Sequence, residues 1–333
     1  MYSNNTDIPL PYAVWLAADH GYDLRFNPNV VSATEILKPM RSIILSREIA
    51  AAKSAELTDE ELVTRDIGEK AAAALGTAVH TAVELAWRKH YQLALTNLGY
   101  PESMIAKIVI NPVVPDSKNI NIYFEIRTAK QIEGFTFSGK FDLCLEGQIR
   151  DMKTTKVYTY INGSNNEKYA QQGSIYRWLN PEIVTNDRMI IDYYFTDWNP
   201  NPRISEEEKK KYPHNRMLAK PLDLMSLDTT EHFIRGKLLE IKLLTGKPQE
   251  ELPRCTPTEL WQNPAKWEYW SKAENKQCSK LLDSPTEAQA WLAEKGVGFI
   301  KERQFEPTFC NYCDAKLVCT QARGFIAEGL LTT

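Results

Sequence analysis

Two aspartates and a lysine stand where a tight turn can bring them together, in the segment SGKFDLCLEGQIRDMKTTK at residues 138–156. Phe141, Leu143 and Leu145 alternate with Asp142, Cys144 and Glu146, the pattern of a half-buried strand. Glu146-Gly147-Gln148 supplies a turn, and Ile149, Asp151 and Lys153 then share one face of a returning strand. Strands joined this way bring Asp142 to within a few ångströms of Asp151, with Lys153 projecting beside them. Two carboxylates held together repel and shift each other's pKa unless a divalent cation neutralises them. Mg²⁺ bound by such a pair keeps positions open for water and for a substrate phosphate. A neighbouring ammonium can orient a nucleophilic water, lower its pKa, or stabilise a crowded phosphate. The residues also admit a plainer reading, a solvent-facing hairpin whose charges keep an edge strand soluble.

Other side chains could join this chemistry. His80 and Glu84 lie four apart in GTAVHTAVE, on one face of an alanine-rich helix. His80 can be an imidazole ligand to the same cation, which would admit Mn²⁺ as well as Mg²⁺. Glu84 can bind that cation or a water on it, or the two can be an ordinary surface pair. Gly76 lets the helix approach a sheet or a DNA backbone closely. In YAQQGSIYRWL, Gln172 and Tyr176 are again four apart and could reach a scissile phosphate or the base beside it. Lys156, Lys168 and Arg177 add phosphate-neutralising charge.

A second group is cysteine-based. FCNYCDAKLVC gives C-x2-C-x5-C at Cys310, Cys313 and Cys319. Two thiolates at that spacing bind one metal from a tight turn, and Cys319 can fill a third position. A closed zinc site or an iron–sulfur cubane needs a fourth ligand. The candidates are Cys255 and Cys278. Cys255 sits in LPRCTPTELW, after a proline and where a helix is expected to open. Free, partly buried thiols are the other reading.

The elements that must position these groups follow from patterning. The chain has 333 residues, 43% apolar and 25% charged, which excludes wholesale disorder. Forty basic against forty-three acidic side chains leave a net charge of −3. That balance excludes a polycationic coat for nucleic acid but not a local basic groove. No apolar run reaches the length of a membrane span, and the N-terminal residues lack the basic-then-apolar order of a signal peptide. A cytoplasmic protein without membrane attachment is expected, and six cysteines are too few for a disulfide scaffold.

Residues 1–66 read as a helical region packing on the core, with Ser32 capping a helix that Pro39 kinks or divides. Helix follows from about residue 67, and short alternating β runs from about residue 105. A helix over EKYAQQGSIYRWLN, a strand at MIIDYYFTDW and a capped amphipathic helix at DTTEHFIRGKLLEIKLLTG complete a core spanning 67–249. Residues 199–223 are polar and Pro-containing, and are expected as a surface insertion. Residues 250–333 carry a helix at PTEAQAWLAEKG, the cysteines, and aromatics that look too few for an independent core. Helix, sheet and helix in this order predict an α/β core with a C-terminal appendage.

Taken in series, G-x-x-x-H-x-x-x-E, G-K-x-D, I-x-D-x-K-T-T and Q-x-x-x-Y resemble the PD-(D/E)XK nuclease superfamily. The resemblance is closest to its RecB-like branch, which includes the exonuclease domains of AddAB and CRISPR-associated RecB-like exonucleases. It covers residues 76–179, and the S-A-T-E-I-x-K-P-x-R segment from Ser32 to Arg41 is similar to one found in phage-encoded members. The resemblance implies a restriction-endonuclease-like core, a mixed central sheet flanked by helices, and metal-dependent hydrolysis of DNA phosphodiesters by an exonuclease of phage or prophage origin. His80, Asp142, Asp151 and the Met152 carbonyl would ligate Mg²⁺ or Mn²⁺. Lys153 would be the catalytic lysine, and Gln172 and Tyr176 the branch-specific motif. Phe141 replaces the proline of the nominal PD pair.

The resemblance also implies a [4Fe-4S] cluster held by one upstream cysteine and the C-terminal triplet, with structural Zn²⁺ as the alternative. The upstream ligand of that branch lies before the nuclease core, whereas no cysteine here precedes Cys144; phage relatives with a cysteine just before an E-L-W segment favour Cys255. DNA is the implied partner, beside a helicase, polymerase or single-strand annealing protein. The competing reading is a non-catalytic DNA-end binder or helicase partner that keeps the nuclease fold.

Overall fold

A computed structural model describes residues 2–18, 26–55, 65–262, 266–303 and 306–331. The chain divides into two compact units: Met1–Leu37 with Ser54–Leu239, and Lys38–Lys53 with Glu240–Thr333. The first is a mixed α/β unit built on a seven-stranded sheet. Along that sheet run the strands Ile108–Ile110, Ile120–Ile132, Phe135–Leu145, Gln148–Thr155, Arg188–Phe195 and Met217–Asp223. Val30–Ser32 joins off this path, parallel to Phe135–Leu145. The central hairpin is antiparallel, and its returning strand Gln148–Thr155 then pairs in parallel with Arg188–Phe195.

Alternation explains the inner strands. In Arg188–Phe195 the apolar Met189, Ile191, Tyr193 and Phe195 are buried while the residues between them are not. Helices cover the sheet. The long helix Ala71–Asn97 lays Trp87, Tyr91 and Leu95 on a cluster of Ile108, Ile122, Phe124 and Leu143. Helix Asn166–Leu179 buries Ile175, Tyr176, Trp178 and Leu179, with Trp178 against Phe137 and Tyr176 edge-on to Phe141. These two helices and the hairpin carry His80, Asp142, Asp151, Lys153 and Gln172.

Several elements differ from the sequence expectation. Ser32 ends a strand rather than capping a helix: its hydroxyl and Glu35 bond each other's backbone N–H in a turn. The helix of that segment starts at Met40, after Pro39. Pro39 therefore divides the segment, since the residue before a proline is driven out of the helical region. The expected insertion at 199–223 is only partly one. Its residues Met217–Asp223 form the outer strand of the sheet, antiparallel to Arg188–Phe195. They alternate between exposed and half-buried and include Pro221, which an edge strand accepts because one side needs no ladder donor. A short helix, Val157–Asn162, was hidden in YTYIN and stops at Gly163 in the left-handed conformation.

The second unit contains helix Met40–Ala55 up to Lys53 and the chain from Glu240 onward. Its three-stranded antiparallel sheet has Lys266–Trp270 between Lys280–Leu282 and Phe299–Arg303. Helix Pro285–Lys295 packs on it, capped by the Ser284 hydroxyl and closed by Gly296. The unit has a small apolar nucleus of its own. Tyr269, Leu282 and Ala288 form a buried nucleus to which Trp267, Trp291, Leu292 and Ile300 add. Arg254-Cys255-Thr256 does not open a helix; turns follow, with the Thr256 hydroxyl accepting from Glu259 N–H. Among the described residues no helix is long and apolar enough to cross a membrane.

Candidate functional site

The hairpin turn sets the site. Glu146 and Gly147 both take positive φ, 46° and 79°, as a two-residue turn between right-twisted strands requires. The turn fixes the register Leu145↔Gln148, Cys144↔Ile149 and Leu143↔Arg150. Continued by one residue, that register sets Asp142 across from Asp151. The parallel neighbour strand braces Asp151 and Lys153 opposite Ile191 and Tyr193.

Helix Ala71–Asn97 delivers His80 to the same place. Its Nδ1 lies 3.3 Å from Asp142 Oδ2, and its Nε2 lies 2.9 Å from the Met152 carbonyl oxygen. A carbonyl only accepts, so Nε2 carries the hydrogen in that contact. In neutral histidine Nδ1 would then turn a lone pair toward a carboxylate. That arrangement needs either a proton on Nδ1 or a cation shared between the two groups. The neighbouring Asp142 accordingly holds the imidazole above its ordinary value of 6.5.

Sequence reasoning missed Glu125, which completes the cluster. It lies on strand Ile120–Ile132, between the pairs Phe124↔Leu143 and Ile126↔Phe141, and so directly across from Asp142. Its φ of 57° is unusual for a residue with a side chain. Like charges facing each other across strands are destabilising unless compensated. Lys140 does part of this, forming an ion pair with Glu125. Ligand atoms of His80, Glu125 and Asp142 all lie within 4.8 Å of one another, a spacing that can hold a metal ion. Extending the hairpin register by one more strand was the signal that could have found Glu125.

Asp151 and Lys153 stand beside that group. Asp151 is 3% exposed, and Lys153 Nζ lies 2.7 Å from its Oδ2. Burial pushes the Asp151 carboxyl above its ordinary value in spite of the lysine. Burial acts to lower the Lys153 ammonium, but the adjacent Asp151 outweighs it and the net shift is upward. For Asp142 burial is likewise outweighed, here by His80, and the carboxyl falls below its ordinary value. Lys153 also lies 5.2 Å from the ring of Tyr169, a contact not anticipated from sequence although Tyr169 is one helical turn before Gln172.

A divalent cation fits this donor set. Asp142 Oδ2 and Asp151 Oδ2 are buried carboxylate oxygens, with His80 Nδ1 at 3.3 Å from the first and Lys153 Nζ at 2.7 Å from the second. Carboxylate oxygens in that condition are ready ligands. The Met152 carbonyl keeps a second lone pair beyond its contact with His80. Glu84 is turned elsewhere: it pairs with Arg88 at 2.6 Å and is not among the converging ligand atoms. Gln172 donates to the Tyr176 hydroxyl at 2.8 Å, and Tyr176 is 4% exposed. The two bond each other, and the ring of Tyr176 packs into the core beside Phe141 rather than standing open to a substrate.

In the second unit four of the six cysteines line one cavity: Cys255, Cys310, Cys313 and Cys319. The cavity holds about 20 Å³. Cys278 does not line it, and all six cysteines are free of disulfides. The Gln321 amide fixes Cys255 by accepting from its N–H at 2.8 Å and donating to its carbonyl at 3.0 Å. Burial pushes the Cys255 thiol up to about 12 and the Cys310 thiol up to about 11, with the neighbouring sulfurs adding to both. Ionising such thiols needs a cation among them.

No family model matches the chain, and no curated protein matches it. Solved structures do. The protein SSO0001 is 13% identical, with a TM-score of 0.39 over 72% of this chain and 88% of that one. A protein from Eubacterium rectale named as an exonuclease is 10% identical, with a TM-score of 0.36 over 68% of this chain and 85% of its own. A phage-related exonuclease from Haemophilus somnus 129PT is 11% identical, with a TM-score of 0.29 over 64% and 92% of the two chains.

Proposed function

We propose that the protein is a metal-dependent deoxyribonuclease, an exonuclease of phage or prophage origin that hydrolyses phosphodiesters at DNA ends in the host cytoplasm. The observation that carries this reading is the convergence of His80, Glu125 and Asp142 beside the buried Asp151–Lys153 pair. His80, Glu125, Asp142 and Asp151, with the Met152 carbonyl, would hold Mg²⁺ or Mn²⁺. When bound, the ion would polarise the phosphate and acidify a water. Lys153 remains an ammonium at neutral pH because Asp151 holds its proton. It is placed to stabilise charge growing on phosphate oxygens and to orient the attacking water. Asp151 keeps that ammonium aimed, and the Tyr169 ring confines it from the side. Lys156, Lys168 and Arg177 supply charge for the DNA backbone.

The cysteine cavity would hold a [4Fe-4S] cluster that organises the second unit. Structural zinc held by the same four thiolates is the alternative. A helicase, polymerase or annealing protein would work beside the enzyme.

Linear and circular DNA incubated with Mg²⁺, with Mn²⁺ and with chelator test the proposal. Linear DNA should be degraded only with metal. Replacing Lys153 by Ala or Asp151 by Asn should slow cleavage by at least about 10²–10³-fold while DNA ends are still bound. Wild-type protein that binds ends but never cuts would instead mark a non-catalytic end binder.

A further inference from the structure

Arg41 ends the Ser32–Arg41 segment, for which the family resemblance assigns no role. It is 3% exposed and lies in the wall of the cysteine cavity. Its five N–H donors are all used. Nε donates to Cys319 Sγ at 3.3 Å. Nη1 donates to the carbonyls of Gln249 and Leu252, at 2.9 and 3.2 Å. Nη2 donates to Gln249 Oε1 at 3.3 Å and to the Thr320 hydroxyl at 2.7 Å. The next residue, Ser42, is 5% exposed and sets its hydroxyl 3.3 Å from Cys313 Sγ.

Every one of these partners is uncharged unless the sulfurs ionise. Among the described residues Arg41 has no ion pair with a carboxylate, and a guanidinium cannot shed its proton to escape the cost. A buried charge lacking a counter-charge is strongly unfavourable. Four thiolates around either Zn²⁺ or a [4Fe-4S] core sum to a net anion. That anion is the counter-charge the guanidinium otherwise lacks.

We infer that Arg41 is the built-in counter-ion of the cysteine-held centre, donating to Cys319 while Ser42 donates to Cys313, and so governs how tightly the centre is held and at what potential it accepts an electron. This rests on the reading of the four cysteines as a metal or cluster site. Hydrogen bonds and positive charge at cluster sulfurs favour the reduced, more negative state and raise the reduction potential. Removing them moves the midpoint the other way.

Anaerobically purified wild-type protein and the variants R41Q, R41K and S42A provide the test. The readouts are metal content, the reduction midpoint from an optical or paramagnetic-resonance titration, and the rate of metal loss to a chelator. Wild-type protein should contain about four iron atoms per chain. R41Q should lose metal several-fold faster and show a more negative midpoint. R41K keeps the charge without the fork and should fall between the two, and S42A should shift the same way by less. Metal retention and midpoint in R41Q indistinguishable from wild type would overturn the inference. If R41Q does not fold, unchanged values in both R41K and S42A would do so. A centre found to be zinc must show the same order of chelator sensitivity. Wild-type protein with neither iron nor zinc would sink the prior reading of the cysteines, a result seen without any variant.

Discussion

Glu125 is the residue on which the metal reading gains most over the sequence motifs. It faces Asp142 across the ladder in a backbone conformation that few side-chain-bearing residues adopt, and it pairs with Lys140. If it helps hold the ion, E125Q should weaken Mn²⁺ binding by about 10–100-fold, the range seen when groups supporting a metal site are removed. Isothermal titration checks this; unchanged affinity would return Glu125 to the role of a partner for Lys140.

Protonation gives a second test at this scale. Without metal, the raised pKa of His80 contributes stability that is full below 6.5 and is lost as pH rises through the raised value. The raised pKa of Asp151 acts in the same direction, since ionising that buried carboxyl costs stability as pH climbs past 3.8. Asp142 runs oppositely, but its lowered value confines the loss to acid below 3.8. An ion requires these groups deprotonated. The rise in Tm on adding Mn²⁺ should therefore be larger at pH 8 than at pH 6, and an equal or reversed difference would contradict the assignment. Asp142, Asp151, Lys153 and His80 were legible because each sits in a short pattern with fixed spacing. Glu125 and Tyr169 were not, because the first reaches the site through strand register and the second sits one helical turn outside the Q-x-x-x-Y pattern.

At the scale of elements, the hairpin and the helix Asn166–Leu179 must approach closely for the site to hold its shape. Gly139 is where they meet. A Cβ there would lie 2.7 Å from Leu179 Cδ1, 3.1 Å from Tyr176 Cε1 and 3.2 Å from Ala33 Cβ. G139A should destabilise the protein by about 1–3 kcal/mol, the usual cost of overpacking, seen as a lower urea midpoint. No loss would mean that the helix can retreat. The hairpin was readable from alternation and Glu146-Gly147, and the two flanking helices from their length and composition. The outer strand Met217–Asp223 was concealed because an edge strand buries only half of one face and tolerates Pro221. The start of the helix at Met40 was mistaken because Ser32 and Glu35 form the same reciprocal bonds in a turn that they would form at a helix cap.

At the scale of the whole molecule, the division into two units was not legible from sequence. Lys38–Lys53 is far along the chain from the cysteines with which it groups, and nothing local marks Arg41 and Ser42 as bonded to sulfurs near the other end. The cysteine spacing itself was readable, but the choice of Cys255 over Cys278 needed the cavity. If the four cysteines hold a centre, stripping it should make residues 240–333 sensitive to limited proteolysis while the sheet of the first unit stays protected. Uniform protection after stripping would show that the aromatic nucleus around Tyr269 suffices alone. The central claim, however, concerns the first unit, where an imidazole and acidic groups distant in sequence enclose one ion beside an amine. Anomalous diffraction from crystals soaked in Mn²⁺ tests it most directly. The account predicts a manganese peak bounded by His80, Asp142 and Glu125 or Asp151, absent when Asp142 is replaced by Ala; a peak elsewhere, or none at a concentration that supports cleavage, would contradict it.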